Sequence, residues 1–381
     1  MAGSRNSAGL RVLIVGGGIG GLAAAIALHD KGIAVEVVER SPEWPTTGAV
    51  GVLHANGVRA LDRLGVAAVI ADGARALEYQ EMCDEHGQAL SRTDLRELWG
   101  DVGPTYGVDR PTLMRALRSR AEQLPHRLGV GVVSVEQGSS QIAARLSDGK
   151  SASYDLIVGA NGVHSNLRPE VDPTAAARYA GQVYWRTIGR SPVPEASGVT
   201  VLFGDGRFFG LVPLIGGRAF AFAATFAAEA PREPVGGRLA RLRETFARFG
   251  EPVVSYLAGL ETDEQIHWGP TETVTMATWH RGRVVLVGDA AHAIQPMMAQ
   301  GCSMALEDAV VLADCLSSAT DLEAALAGYE TRRMSRVAWV QEQTAVLAKG
   351  FAMAPEIRNG LLSARGDAMT KARFRPLAEV A

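Results

Sequence analysis

Val12 to Val15 form an uninterrupted apolar run; Gly16, Gly18 and Gly21 follow, and then an alanine-rich stretch with Ala25 and Leu28 on one face. This order predicts a buried strand, a glycine turn and a helix. Gly32 ends the helix, and Val35 to Val38 predict a second strand that delivers Glu39. Pro42 and Pro45 exclude helix, Gly48 to His54 suit a short strand with Val50, Val52 and His54 on one face, and Asn56 to Leu64 return to helical spacing. Residues 76 to 109 hold a hairpin-like segment turning at Asp84 to Gly87, after which Pro111 can start a helix. Two strands, Val130 to Val135 and Gln141 to Leu146, precede a third, Tyr154 to Val158, that runs into the turn Gly159 to Gly162.

From Tyr179 to about Trp268 the pattern changes to strands spaced by Gly and Asp turns, QVYWRTIGR, VTVLFGDG, RFFGLVPLIGG and RAFAFAATF, followed by the helical stretch RLARLRETFARFGEPVVSYLAGL. This predicts an inserted α+β subdomain. Its aromatics Tyr184, Trp185, Phe208, Phe209, Phe220 and Phe222 are core residues or the lining of a pocket for a planar apolar molecule. Val284 to Val287 form another buried strand ended by Gly288 and Asp289, and a loop carrying Pro296, Gln300 and Gly301 leads into a helix from Ser303 to Leu316. Residues 322 to 350 continue as helix, and the tail beyond Gly350 reads as mixed.

The opening turn has a physical logic. Gly16 allows the bend, Gly18 leaves room for a pyrophosphate, Gly21 lets the helix lie against the strand, and the unpaired N–H groups of the helix start attract phosphate charge. Glu39, at about the expected ~20-residue distance, can accept hydrogen bonds from ribose hydroxyls. The unit specifies an adenine dinucleotide and leaves NAD and FAD both open. Asp289 sits at the C-terminal edge of a strand, where α/β folds gather ligands, and the helix after Gly301 offers donors to a negative charge. His54 reads as a buried histidine or a base, and Arg110 as a surface charge or a cofactor contact.

At 381 residues the chain has room for one large or two ordinary domains. Charged residues are 21% and the formal net charge is -3, so nothing electrostatic favours a nucleic acid. The three cysteines, Cys83, Cys302 and Cys315, show neither metal spacing nor a disulfide framework, which fits a reducing compartment. No apolar run approaches the roughly 20 residues a membrane helix needs, and MAGSRNSAGL lacks a signal-peptide core. The expectation is a cytoplasmic protein, monomeric or homodimeric, with neither a membrane nor a nucleic acid as partner.

Three segments together resemble the single-component (class A) FAD-dependent aromatic monooxygenases, the class of salicylate, p-hydroxybenzoate and urate hydroxylases. They are Gly16 to Glu39, YDLIVGANGVHSNLR and GDAAHAIQPMMAQG, and the similarity runs to about residue 345. The resemblance implies an α/β fold: a Rossmann-like FAD-binding domain (1–75, 101–178 and 271–381) with an inserted antiparallel-sheet α+β substrate domain (76–100 and 179–270) and C-terminal helices. It implies Gly20 at the pyrophosphate, Glu39 and Arg40 at the adenosine end, Val132 bordering the adenine, Val52 and Arg110 along the cofactor and Asp289 at its ribityl or pyrophosphate region. Pro296, Ala299, Gln300, Gly301, Cys302 and Ser303 belong to the loop beside the isoalloxazine ring.

In such enzymes NADPH or NADH reduces FAD as a transient co-substrate, O₂ adds to form a C4a-hydroperoxide, and its distal oxygen passes to an electron-rich ring or alkene. His54 is the candidate base and Arg207 the candidate partner of a substrate oxygen. Three positions depart from the family pattern: Asn161 stands for Asp in the second motif, Ala293 for a common Pro, and Ala299 for the first Gly of Gly-Gln-Gly. No tryptophan sits in the W-x-W-x-I-P run of flavin halogenases. A flavin oxidase or reductase without oxygen insertion, and a non-catalytic FAD-binding protein, remain alternatives.

Overall fold

The computed structural model describes residues 9–46 and 50–381. Gly48, where the sequence opens its third strand, and the first eight residues of the polar lead lie outside them; the strand observed is Gly51–Leu53.

Val12, Leu13 and Ile14 have no exposed surface, because strand Arg11–Val15 pairs in parallel with Leu156–Gly159 on one side and Ala34–Glu39 on the other. A parallel strand covered on both faces needs a continuous apolar run, and this one has it. These strands are the middle of a six-stranded sheet ordered 280–281, 284–286, 156–159, 11–15, 34–39 and 126–128. Helix α1 (Ile19–Asp30) buries every residue from Gly21 to Leu28, packed between the sheet and a later helix, Gly301–Ser318. Helix α2 (Ala55–Arg63) follows the strand Gly51–Leu53 with His54 as its N-cap. Helix α3 (Arg110–Ala121) is capped by Asp109, whose carboxylate accepts from the Thr112 N–H at 2.9 Å, so Arg110 is its first residue.

The second sheet has seven strands, ordered 266–273, 178–190, 218–226, 207–213, 198–204, 79–84 and 89–94. The hairpin Tyr79–Asp84 and Ala89–Asp94 joins it by a parallel pairing with Gly198–Gly204, so the sheet is mixed rather than wholly antiparallel. The hairpin comes from an early part of the chain, and no tight turn dictates its direction. The single helical stretch expected after the strands is two short helices, α4 (Arg238–Thr245) and α5 (Val253–Ala258), separated at Gly250 and Pro252. They cover the back of the sheet, where Leu242, Phe246 and Tyr256 pack on Trp185 and Phe209.

Three helices close the chain: α6 (Gly301–Ser318), α7 (Leu322–Phe351) and α8 (Pro355–Phe374). The tail beyond Gly350 is therefore mainly a helix, held by tertiary contacts. Arg358 is buried and donates to the Gly204 and Phe203 carbonyls at 2.7 and 3.1 Å, and Gly366 sits so close to Ser91 that a Cβ would lie 2.3 Å from its Oγ. No described helix is long and apolar enough to cross a membrane.

Candidate active site

Gly16 adopts φ +115°, and a side chain there would stand 2.5 Å from the Ala160 carbonyl oxygen. At Gly21 a Cβ would lie 1.9 Å from the Gly16 oxygen, so turn and helix meet backbone to backbone. Gly18 is open: a Cβ added there would meet nothing nearer than the Arg110 guanidinium at 3.9 Å. It caps α1 without a side chain, the first turn holds no acid, and with Gly20 and Arg110 it borders a cavity of about 550 Å³. The Arg110 Nε is buried with no acceptor. Free N–H groups, a positive helix end and an unsatisfied guanidinium thus converge on one place, which suits a diphosphate.

Beside this turn, Glu39 accepts the Gly17 N–H at 2.7 Å through one carboxylate oxygen and the Ser41 N–H at 2.8 Å through the other. An ionised carboxylate has about four acceptor sites, so it braces the turn and keeps capacity for hydroxyl donors. Arg40 is exposed next to Gly131, and the carbonyl of Val132 accepts from Asn166 Nδ2 at 2.9 Å. Asn161 Nδ2 in turn donates to Asn166 Oδ1 at 2.8 Å, an arrangement that needs an amide where the family pattern has a carboxylate.

Asp289 projects its carboxylate into the cavity, yet protein surrounds it deeply enough that desolvation raises its pKa, against the opposing charges of His292, Arg110 and Arg168. Arg168, from the second motif, is buried and donates to the Ala290 and Val163 carbonyls at 3.0 and 2.7 Å, tying that motif to the third. The loop then passes Pro296 to Ala299, whose φ of +50° makes it the one non-glycine residue with positive φ among those described. Helix α6 starts next, again with no side-chain cap and no acid in its first turn. Gly301 and Cys302 line the cavity there, and burial raises the Cys302 thiol to about 12.

Gln300 and Ser303 do not reach the cavity with their side chains. The Gln300 amide pairs with Asn56 at 3.0 and 3.3 Å, and Ser303 is buried against Gly57. Behind the loop, Asp308 takes the Gly288 N–H at 2.9 Å, His292 Nε2 at 2.6 Å and Arg333 Nε at 2.8 Å, while Glu307 holds Asn56, Arg333 and Arg336. The sequence marks helices here but not their partners, which lie far along the chain.

The cavity continues onto one face of the seven-stranded sheet, lined by Tyr184, Phe208, Phe220 and Phe222, with Phe351 of α7 and Arg373 and Phe374 of α8 opposite. Phe220 lies over Gly51 and Phe222 over Gly210, where added Cβ atoms would stand 2.6 and 2.1 Å from the rings. Trp185 and Phe209 face the other way, onto Phe246 at ring distances of 5.9 and 5.3 Å. Arg207 shares that outward parity with Phe209: it donates to the Thr245 carbonyl at 2.7 Å and to Asp205 at 3.1 Å, away from the cavity. The expected pairing of Arg207 with a substrate oxygen is therefore corrected; alternation along strand Arg207–Pro213 points it at α4. Arg186, two residues from Tyr184 on the same face, reaches the cavity instead, and burial, with the Arg186 charge added to it, lowers the pKa of His267, its cross-strand neighbour.

His54 lines the cavity, almost wholly buried between Trp99 and Phe374 at ring distances of 5.7 and 4.7 Å. Burial lowers its pKa to about 4 despite a hydrogen bond to the Met298 backbone, and its Nδ1 has no partner. Val52, in the short strand Gly51–Leu53, also lines the cavity.

The profile of the FAD binding domain family matches residues 9–344, almost the whole of this architecture. The chain belongs to that family. Among its relatives, the 3-amino-4-hydroxybenzoate 2-monooxygenase of Streptomyces cremeus is 34% identical over 354 residues, 90% of this chain and 88% of that protein. The aurachin C monooxygenase/isomerase of Stigmatella aurantiaca is 33% identical over 330 residues, 86% of each chain. The crystal structure of Klebsiella pneumoniae HpxO complexed with FAD and uric acid superposes with a TM-score of 0.89 at 27% identity, covering 97% of both chains. This protein is thus an FAD-dependent monooxygenase of the class A aromatic hydroxylase type. FAD fits what the monooxygenase presents: an open Gly18, an orphan Arg110 Nε and two uncapped helix starts on one cavity.

Proposed function

We propose that this monooxygenase inserts one oxygen atom from O₂ into an electron-rich aromatic small molecule, with NADH or NADPH as the reductant. The carrying observation is the continuity of the cavity from the N-terminus of α1 to the aromatic face of the second sheet. FAD, when bound, would relay the reducing equivalents of NADH or NADPH and supply the oxygen activation.

The N–H groups of α1 at Gly18 and Gly20, together with Arg110, hold the pyrophosphate. Glu39 and Arg40 serve the adenosine end, with Val132 near the adenine. Asp289 holds the ribityl chain, and the free N–H groups of Gly301, Cys302 and Ser303 stabilise negative charge at the ring, roughly 0.3 to 2 kcal/mol per favourable contact. Phe208, Phe220, Phe222 and Phe351 exclude water from the reacting centre. A pKa of about 4 makes His54 too weak a base for a phenol near neutral pH, so its proposed part is that of a neutral wall and hydrogen-bond acceptor.

The test is turnover with isotopically labelled O₂, after a screen for aromatics that accelerate oxidation of NADH or NADPH by the FAD-loaded enzyme. Label in the organic product supports the proposal. Accelerated NAD(P)H oxidation with label only in peroxide or water, for every accelerating aromatic, identifies an oxidase or reductase instead.

A further inference from the structure

Arg373, near the end of α8, is 7% exposed and lines the cavity, yet among the described residues its guanidinium meets no hydrogen-bond acceptor or carboxylate. Its Nε is out of reach of water and unpartnered. Asp289 is the only carboxylate bordering the cavity among the described residues, and the charges acting on it are those of His292, Arg110 and Arg168, not Arg373. A buried guanidinium without a counter-charge is unfavourable by several kcal/mol, and such a group persists when a ligand satisfies it.

The helix that carries it is fixed. Arg358 docks the start of α8 onto the end of strand Gly198–Gly204, Gly366 packs on Ser91, and Trp339 Nε1 donates to the carbonyl of Arg373 itself at 3.2 Å. The Phe374 ring packs at a tilt against His54, which adjoins Met298 of the loop before α6. The guanidinium is therefore preorganised near that loop, and all of α8 lies beyond residue 344, where the family match ends. Thr370, one turn earlier, also lines the cavity.

We propose that Arg373 is a specificity-determining residue that receives an anionic oxygen of the substrate, so that the preferred ligands are planar aromatics bearing a carboxylate or an ionised phenol or enol. His54, kept neutral by burial on the same cavity, adds no competing charge. This rests on the reading of the cavity as the substrate site, and the test reads ligand binding rather than turnover, so either can fail without the other.

The experiment titrates the FAD-loaded enzyme with 2-naphthoate, 2-naphthol and the neutral isostere 2-naphthamide, following the flavin spectrum and thermal stability between pH 7 and 10. The expected result is that naphthoate, or naphthol above its own pKa, binds about 10- to 100-fold more tightly than naphthamide, the worth of a hydrogen-bonded charge. Arg373→Met should abolish that preference, and Arg373→Lys should keep part of it. A binding role further requires that ligand-free Arg373→Met melts no lower than the parent, because it loses an unpaired buried charge. Equal affinity for anionic and neutral ligands in the parent, an unchanged preference in Arg373→Met, or a large loss of stability in ligand-free Arg373→Met would overturn the proposal.

Discussion

Asp308 Oδ2 lies 2.6 Å from His292 Nε2, and both side chains are buried. The same carboxylate receives Gly288 N and Arg333, so one residue of α6 fixes the start and the middle of the loop that carries Asp289. Burial alone raises its pKa, but His292 and Arg333 outweigh that and hold it at about 2.

A carboxylate depressed in the folded state stabilises above the unfolded value of about 3.9 and loses that contribution as pH falls toward the folded one. Stability and FAD retention are expected to drop together between about pH 4 and pH 2. Asp308→Asn, which leaves Arg333 undercompensated, should cost about 3 to 5 kcal/mol at neutral pH by chemical denaturation.

His54 titrates in the opposite chemical sense but the same direction of pH. Its folded pKa of about 4 lies below the unfolded 6.5, so the native state excludes a proton that the unfolded chain binds. Stability is complete above about pH 6.5 and declines as pH falls to about 4, by on the order of 3 kcal/mol at 1.36 kcal/mol per unit. Thermal melts of His54→Leu across this window should show a shallower slope than the parent.

Ala299 holds a left-handed conformation at φ +50°. Ala299→Gly is expected to stabilise the protein by about 1 kcal/mol, the relief of Cβ strain there. The check is a higher denaturant midpoint at unchanged slope.

Asn161→Asp replaces a donor with an acceptor facing Asn166 Oδ1, and if Asn166 turns to compensate, the Val132 carbonyl loses its donor. A loss of about 1 kcal/mol and weaker FAD binding are expected, measured by denaturation and flavin fluorescence.

Arg207→Ala removes a bond to the Thr245 carbonyl on the back of the sheet. It should lower stability by about 1 kcal/mol and leave the KM for the aromatic substrate unchanged; a raised KM would return Arg207 to the cavity.

The glycine turn, the parallel strands beside it and the loop through Asp289 were legible because each rests on local chemistry: backbone contact at Gly21, a continuous apolar run at Val12 to Ile14, a strand end at Gly288. Arg207 was not. Strand Arg207–Pro213 is buried on both faces, so no alternation of polarity tells which parity meets the cavity. For the same reason the sequence left Trp185 and Phe209 open between core and pocket lining, and the structure places both in the core behind the sheet. Helix α8 escaped notice because Gly360, Gly366 and scattered charges weaken its helical pattern, and its support comes from carbonyls of residues 203 and 204, distant in sequence.

The rings of Phe220 and Phe222 rest in notches left by Gly51 and Gly210. A methyl group at either glycine has nowhere to go except by tipping a phenyl inward. The bore of the chamber is thus governed from behind its own wall, and a shift in the size of molecule admitted can arise at positions that never touch the guest.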